Sequence, residues 1–122
     1  MIDYVAMLRE FHTKYGHYIA DRPKIPAINH VILRRRLIAE EAKEFDYAAS
    51  TGDLVEIADA LADLLYVTVG SAIAFGIPIE EIFTEVHRSN MTKSTEMDEY
   101  GKTIKGPNFE LPKIKEILDK YK

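Results

Sequence analysis

The sequence predicts an all-α fold, an antiparallel helical bundle completed by oligomerisation. Three observations predict it. Apolar residues recur at helical spacing over most of the chain. Caps and breakers divide that pattern into segments of helical length. The connections between the second, third and fourth segments are short, as between antiparallel neighbours in a bundle.

Taken in order, Val5, Met7, Leu8, Phe11 and Tyr15 mark a first helix from Asp3 to about Tyr18, weakened at Gly16. A loop with Pro23 and Pro26 follows. The second helix is expected over about 29–49, with Asn29 as its cap. Ser50 to Asp53 form a turn, and Thr51 or Asp53 caps a third helix that runs to about Phe75. Gly76 ends it, and Pro78 suits the first turn of a fourth helix over about 78–90. Residues 94–110 are polar and rich in Gly and Pro, with a short hairpin expected around Gly101. A short helix over about 112–121 closes the chain.

The length of 122 residues fits one domain, with core helices over about 29–90. Hydrophobic residues make up 47% and charged residues 30%, an ordinary globular mix. The absence of cysteine excludes disulfides and thiolate metal sites. The first residues lack the pattern of a signal peptide, and no run reaches the ~18 consecutive apolar residues of a membrane span. A cytoplasmic protein without membrane contact is the expectation. A net charge of −4 argues against a nucleic-acid partner.

The chemistry falls on helices two and three. At about 100° per residue, Leu33, Leu37, Glu41, Glu44, Phe45 and Ala48 share one stripe of helix two, with Glu40 at its edge. Glu56, Asp59 and Asp63 form a second acidic stripe on helix three, whose other residues are almost all apolar, as in a buried helix. From Glu44 through Glu85 there are nine acidic residues and no Lys or Arg, so no local base neutralises the stripe. Clustered carboxylates without nitrogen or sulfur ligands suit a hard divalent cation, Mg²⁺ above all, with Mn²⁺ as the alternative. A metal-bound water could then serve as nucleophile, with a free carboxylate as base. By itself, Glu-Glu-x-x-Glu fits a solvated helix face equally well; the second stripe favours a metal.

These residues also carry a resemblance. Glu40-Glu41-Ala42-Lys43-Glu44 followed by Glu56-Ile57-Ala58-Asp59, with Asp63-Leu64-Leu65-Tyr66 and Glu85-Val86-His87-Arg88-Ser89-Asn90, resembles the MazG-like superfamily. That all-α group includes dimeric dUTPases and phosphoribosyl-ATP pyrophosphohydrolases, and the similarity runs from about Phe11 to Lys113. It implies Mg²⁺-dependent cleavage of a nucleoside triphosphate between the α- and β-phosphates, by a homodimer or homotetramer. It implies Glu41, Glu44 and Asp63 as metal ligands and Glu40 as general base or orienting carboxylate. Registered on Asp63, a family glutamate falls on Ala60, and Asp59 substitutes for it. Registered on the literal Glu-x-x-Asp, the ligands are Glu56 and Asp59. The first register is favoured, and both retain Asp59.

Asn90 and Lys93 match family positions that contact phosphates or nucleotide, although a cation at a helix end is also simply favourable there. Lys102 and Lys105 sit in a basic loop that could close on a triphosphate or could be ordinary surface. Arg34 falls near the acidic stripe of helix two and could pair with it or bind substrate. His12 reads as a packed structural residue, and Tyr66 and Phe75 as core. A ferritin-type di-iron site is disfavoured because no Glu-x-x-His pair is present. Two other readings remain: a non-catalytic helical module and a phosphoribosyl-ATP pyrophosphohydrolase.

Overall fold

The computed structural model describes residues 1–122 and contains five helices and no strand. They are α1 (Tyr4–Tyr15), α2 (Ile28–Thr51), α3 (Leu54–Phe75), α4 (Ile79–Asn90) and α5 (Ile114–Asp119). The all-α expectation is met. The chain divides into two compact units, Met1–Ile77 and Pro78–Lys122.

In the first unit the most extensive packing joins α2 to α3, and α1 packs on α3. Asp3 caps α1 through Ala6 N–H at 2.9 Å, and the helix stops at Gly16 rather than running to Tyr18. Asp53 caps α3 by accepting from Val55 N–H and Glu56 N–H, as expected of one of the two candidates. Asn29 does not cap α2. The helix begins one residue earlier, after Ala27, with no side-chain cap.

Leu8 of α1 joins Val69 and Ile73 of α3 in the small core, with Val5 and Ile19 against it. That core covers only the second half of α3, where Val69 to Ala74 are buried. The first half is not the buried helix its composition predicts, because α2 alone packs there: Leu54 and Val55 are each 76% exposed. Tyr66 is also partly exposed, set edge-on to Phe11 at 5.3 Å. By length and composition α3 could cross a bilayer, a test that core helices of bundles also pass.

The end of α3 depends on Gly76. Its φ of +68° is the left-handed conformation that closes a Schellman motif, with Ile77 N–H on Ala72 O at 2.9 Å. The segment after α1 runs along this end: Ala20 N–H donates to Ile73 O and Lys24 N–H to Phe75 O, satisfying terminal carbonyls.

In the second unit α4 packs on α5. Glu85 is the hub, accepting from Arg88 Nε and Nη2 at 2.8 and 2.9 Å and from Lys113 N–H at 2.7 Å. The Arg88 guanidinium and that N–H hold its carboxyl down to about 2. Ser89 Oγ donates to Glu110 O, and Glu110 N–H donates to Thr92 Oγ1, tying down the polar loop. The hairpin around Gly101 amounts to a single antiparallel bridge, Met97 to Thr103. Asp98 closes its turn by accepting from Tyr100 N–H and Lys102 N–H. Glu81 accepts from Tyr121 Oη and Lys120 Nζ, fastening the end of the chain to α4.

Two glycines of similar φ separate conformational strain from crowding. A Cβ at Gly76 would lie 2.0 Å from Arg22 O, whereas a Cβ at Gly16, φ +72°, meets nothing within 4 Å. Gly16→Ala should cost about 1 kcal/mol, the left-handed penalty alone. Gly76→Ala should cost about 2–5 kcal/mol, because backbone must also move. Urea unfolding of both variants measures the difference, and equal losses would contradict it.

Candidate active site

Five carboxylates meet along the α2–α3 seam of the first unit. Glu40, Glu41 and Glu44 come from α2, and Asp59 and Asp63 from α3. Ala60, which stands between Asp59 and Asp63 in α3, is 4% exposed, a small buried side chain of the kind that permits close helix packing. Glu41 is central. It is half-buried, and its Oε2 is shielded from solvent with no hydrogen-bond partner. Its carboxyl is raised above the ordinary range, first by burial and then by Asp63, Glu44, Glu40 and Asp59. No ion pair reaches any of the five.

The raised Glu41 identifies which acids surround it. Asp63 and Asp59 are among them, and Glu56 is not. Glu56 lies instead with Glu40, Lys43 and Glu44 along an open groove of about 770 Å³, on the rim of the cluster. Asp63 is half-buried, while Glu40, Glu44 and Asp59 are exposed. The acids of α3 are thus more open to water than a buried helix implies.

No three of these side chains converge tightly enough to enclose a metal ion as they stand. Like charges at such spacing repel one another apart. The donor set nonetheless fits a hard divalent cation: every group is a carboxylate, and one buried oxygen lacks any partner.

Arg34 does not pair with this stripe. It lies two turns before Glu41 on α2, buried to 6% exposure, against His12 and Gly70. A Cβ at Gly70 would sit 2.8 Å from Arg34 Nη1 and 3.0 Å from His12 Nε2, so glycine makes the room both occupy. His12, 1% exposed, donates from Nδ1 to Tyr18 O at 3.0 Å and is a packed residue, as the sequence reading has it. That reading missed Gly70; an uncharged glycine inside an otherwise apolar helix was its available signal.

The other basic and polar candidates belong to the second unit. Asn90 is exposed at the last turn of α4, and Lys93 is half-buried in the turn that follows. Lys102 and Lys105 are exposed on the polar loop, with Lys105 Nζ over the Phe109 ring at 5.1 Å.

The crowding of Glu41 carries a pH dependence. A carboxyl raised by folding favours the folded state while it is protonated. That contribution is complete below the ordinary glutamate range and is lost as pH rises through the raised Glu41 value. In EDTA, Glu41 should therefore contribute a fall in the thermal midpoint as pH rises from about 4, against which the buried, neutral His12 contributes a rise. Glu41→Gln should flatten that fall and raise the midpoint at pH 8. Calorimetry checks this, and a variant no more stable than wild type at pH 8 would count against the crowding.

A profile of the phosphoribosyl-ATP pyrophosphohydrolase family matches residues 8–90. No individual curated protein matches the chain. The matched segment takes in most of α1 and all of α2, α3 and α4, including all five clustered carboxylates. The chain therefore belongs to the phosphoribosyl-ATP pyrophosphohydrolase family, and is a hydrolase of phosphoric anhydride bonds.

Proposed function

We propose that the protein hydrolyses a nucleoside triphosphate between the α- and β-phosphates, yielding the monophosphate and pyrophosphate. The observation that carries this reading is Glu41, with an unpartnered, shielded oxygen among four further carboxylates and no base. Glu41, Glu44 and Asp63, with Asp59, would hold Mg²⁺, with Mn²⁺ as a substitute. When bound, the cation supplies neutralisation of charge on the phosphoryl oxygens and on the leaving pyrophosphate. Glu40, exposed on the groove beside Glu44, accepts the proton of the attacking water. The water oxygen bonds to the α-phosphorus as the bond from that phosphorus to the bridging oxygen breaks. On the family resemblance alone we assign Asn90, Lys93, Lys102 and Lys105 to phosphate, the lysines as point charges.

Phosphoribosyl-ATP is the second reading, favoured by the family match. It contains the same anhydride, so the same carboxylates would serve. Pyrophosphate release from canonical and modified dNTPs, NTPs, dUTP and phosphoribosyl-ATP, each with Mg²⁺, Mn²⁺ or EDTA, separates the two. Turnover of a nucleoside triphosphate with Mg²⁺ and none in EDTA is expected. Glu41→Gln should abolish it, and Glu40→Gln should lower kcat by about 10²–10⁴-fold. Full activity in Glu41→Gln would refute the ligand assignment, and turnover confined to phosphoribosyl-ATP would establish the second reading.

The working form we propose is a homo-oligomer. Leu54, Val55, Leu61 and Leu65 on α3 leave an apolar face exposed on the single chain, of the kind that marks an interface. Light scattering should give a mass at least twice the 13.9 kDa of one chain. Leu61→Glu with Leu65→Glu should reduce it to the monomer; a monomeric wild type would refute the interface.

A further inference from the structure

The first unit contains a second ionisable cluster, of opposite sign, that the hydrolytic chemistry does not use. A cavity of about 220 Å³ opens between α1, the loop after it and α2. Arg34, His12, His17, His30, Tyr18 and Asn29 line it, and no carboxylate does. This is notable in a chain of net charge −4. The Arg34 guanidinium is buried, makes no ion pair, and stays protonated despite the downward pull of burial. A buried charge without a partner is strongly unfavourable, so this one calls for an anion.

The geometry narrows which group binds. His12 Nδ1 carries the proton it donates to Tyr18 O, and burial keeps the ring neutral. Its Nε2 is therefore an acceptor, set within 3.0 Å of the same point as Arg34 Nη1. Arg34 lines the cavity without a hydrogen bond to His12, so the donors of its fork are open to a ligand. The rings of His30 and Tyr18 stack at 4.6 Å and those of His17 and Phe11 at 5.6 Å, which fixes the two outer imidazoles. The cavity is smaller than the roughly 300–1,000 Å³ of a pocket for a drug-sized ligand, and so suits a small ion rather than a whole nucleotide.

We propose that this cavity is an oxyanion site, in which Arg34 grips a phosphate or pyrophosphate group with Asn29, His17 and His30 as further donors. It lies two helical turns, about 10.5 Å along α2, from Glu41, and is separate from the carboxylate cluster. The choice of phosphate over another oxyanion rests on the chain's phosphohydrolase family; the existence of an anion site does not.

The test is carried out in EDTA, where no turnover occurs. Imidazole NMR signals of His17 and His30 are followed while inorganic phosphate or pyrophosphate is added, with chloride at matched ionic strength as control. Saturable shifts with a Kd below about 1 mM for either ion are expected, and none with chloride. Tighter binding of pyrophosphate identifies the reaction product as the source, and equal binding identifies free phosphate. Arg34→Met should weaken binding at least tenfold. Arg34→Lys, which keeps the charge but not the fork, provides the same reading if the methionine variant fails to fold. Glu41→Gln should bind the anion as wild type does, so this result stands or falls apart from the hydrolytic assignment. Absence of saturable shifts in the wild type, or undiminished binding in the folded Arg34 variant, would overturn the proposal.

Discussion

The close approach of α2 to α3 is the constraint on which the rest depends. Where two helices pack through large apolar side chains, the seam closes to polar groups. Here α3 carries the small, buried Ala60 between its two acids and sets Gly70 against Arg34. Small residues on one helix make room for long charged ones on the other. The seam therefore holds charged groups that would otherwise be pushed to the surface, and Glu41 and Arg34 owe their unusual surroundings to that exchange.

This arrangement costs stability. The apolar core proper is small, centred on Leu8, Val69 and Ile73, and it leaves the first half of α3 without cover. The single chain thus exposes apolar surface while holding charge in its main helical seam, the reverse of ordinary partition. A second copy on the open face of α3 would restore the balance and would leave the carboxylate seam on the other side of the helix available to substrate.

Helix content was legible because the punctuation is local. Asp53 and Gly76 act through backbone groups within a few residues of themselves, and both performed as their types dictate. Asn29 failed as a cap for an equally local reason: α2 already starts after Ala27, which places Asn29 inside the helix. The acidic stripes were legible through periodicity, which placed Glu56, Asp59 and Asp63 together on α3; of these, Asp59 and Asp63 are the ones that act on Glu41. The surroundings of Arg34 were not. Periodicity put it near the acids on its own helix, but its contacts are set by α1 and by the missing side chain of Gly70, and helix-to-helix placement leaves no period in the sequence. The exposure of α3 escaped for a related reason, since composition shows that a surface is apolar but not which chain covers it.

The two clusters of opposite charge do not neutralise each other. With the helical rise of about 10.5 Å taken as the order of their separation and an effective dielectric constant near 20, a carboxylate and a guanidinium attract by only about 1–2 kcal/mol. Withdrawing either ion from water costs several kcal/mol. On the function and the anion site proposed above, each cluster takes its own counter-ion, a cation among the carboxylates and an oxyanion against Arg34. The reaction proposed for this chain would supply both kinds, a divalent cation with the substrate and an oxyanion as product. The same seam that destabilises the empty chain is suited to gain stability from what the proposed reaction brings, so binding and folding would be coupled at two places along α2.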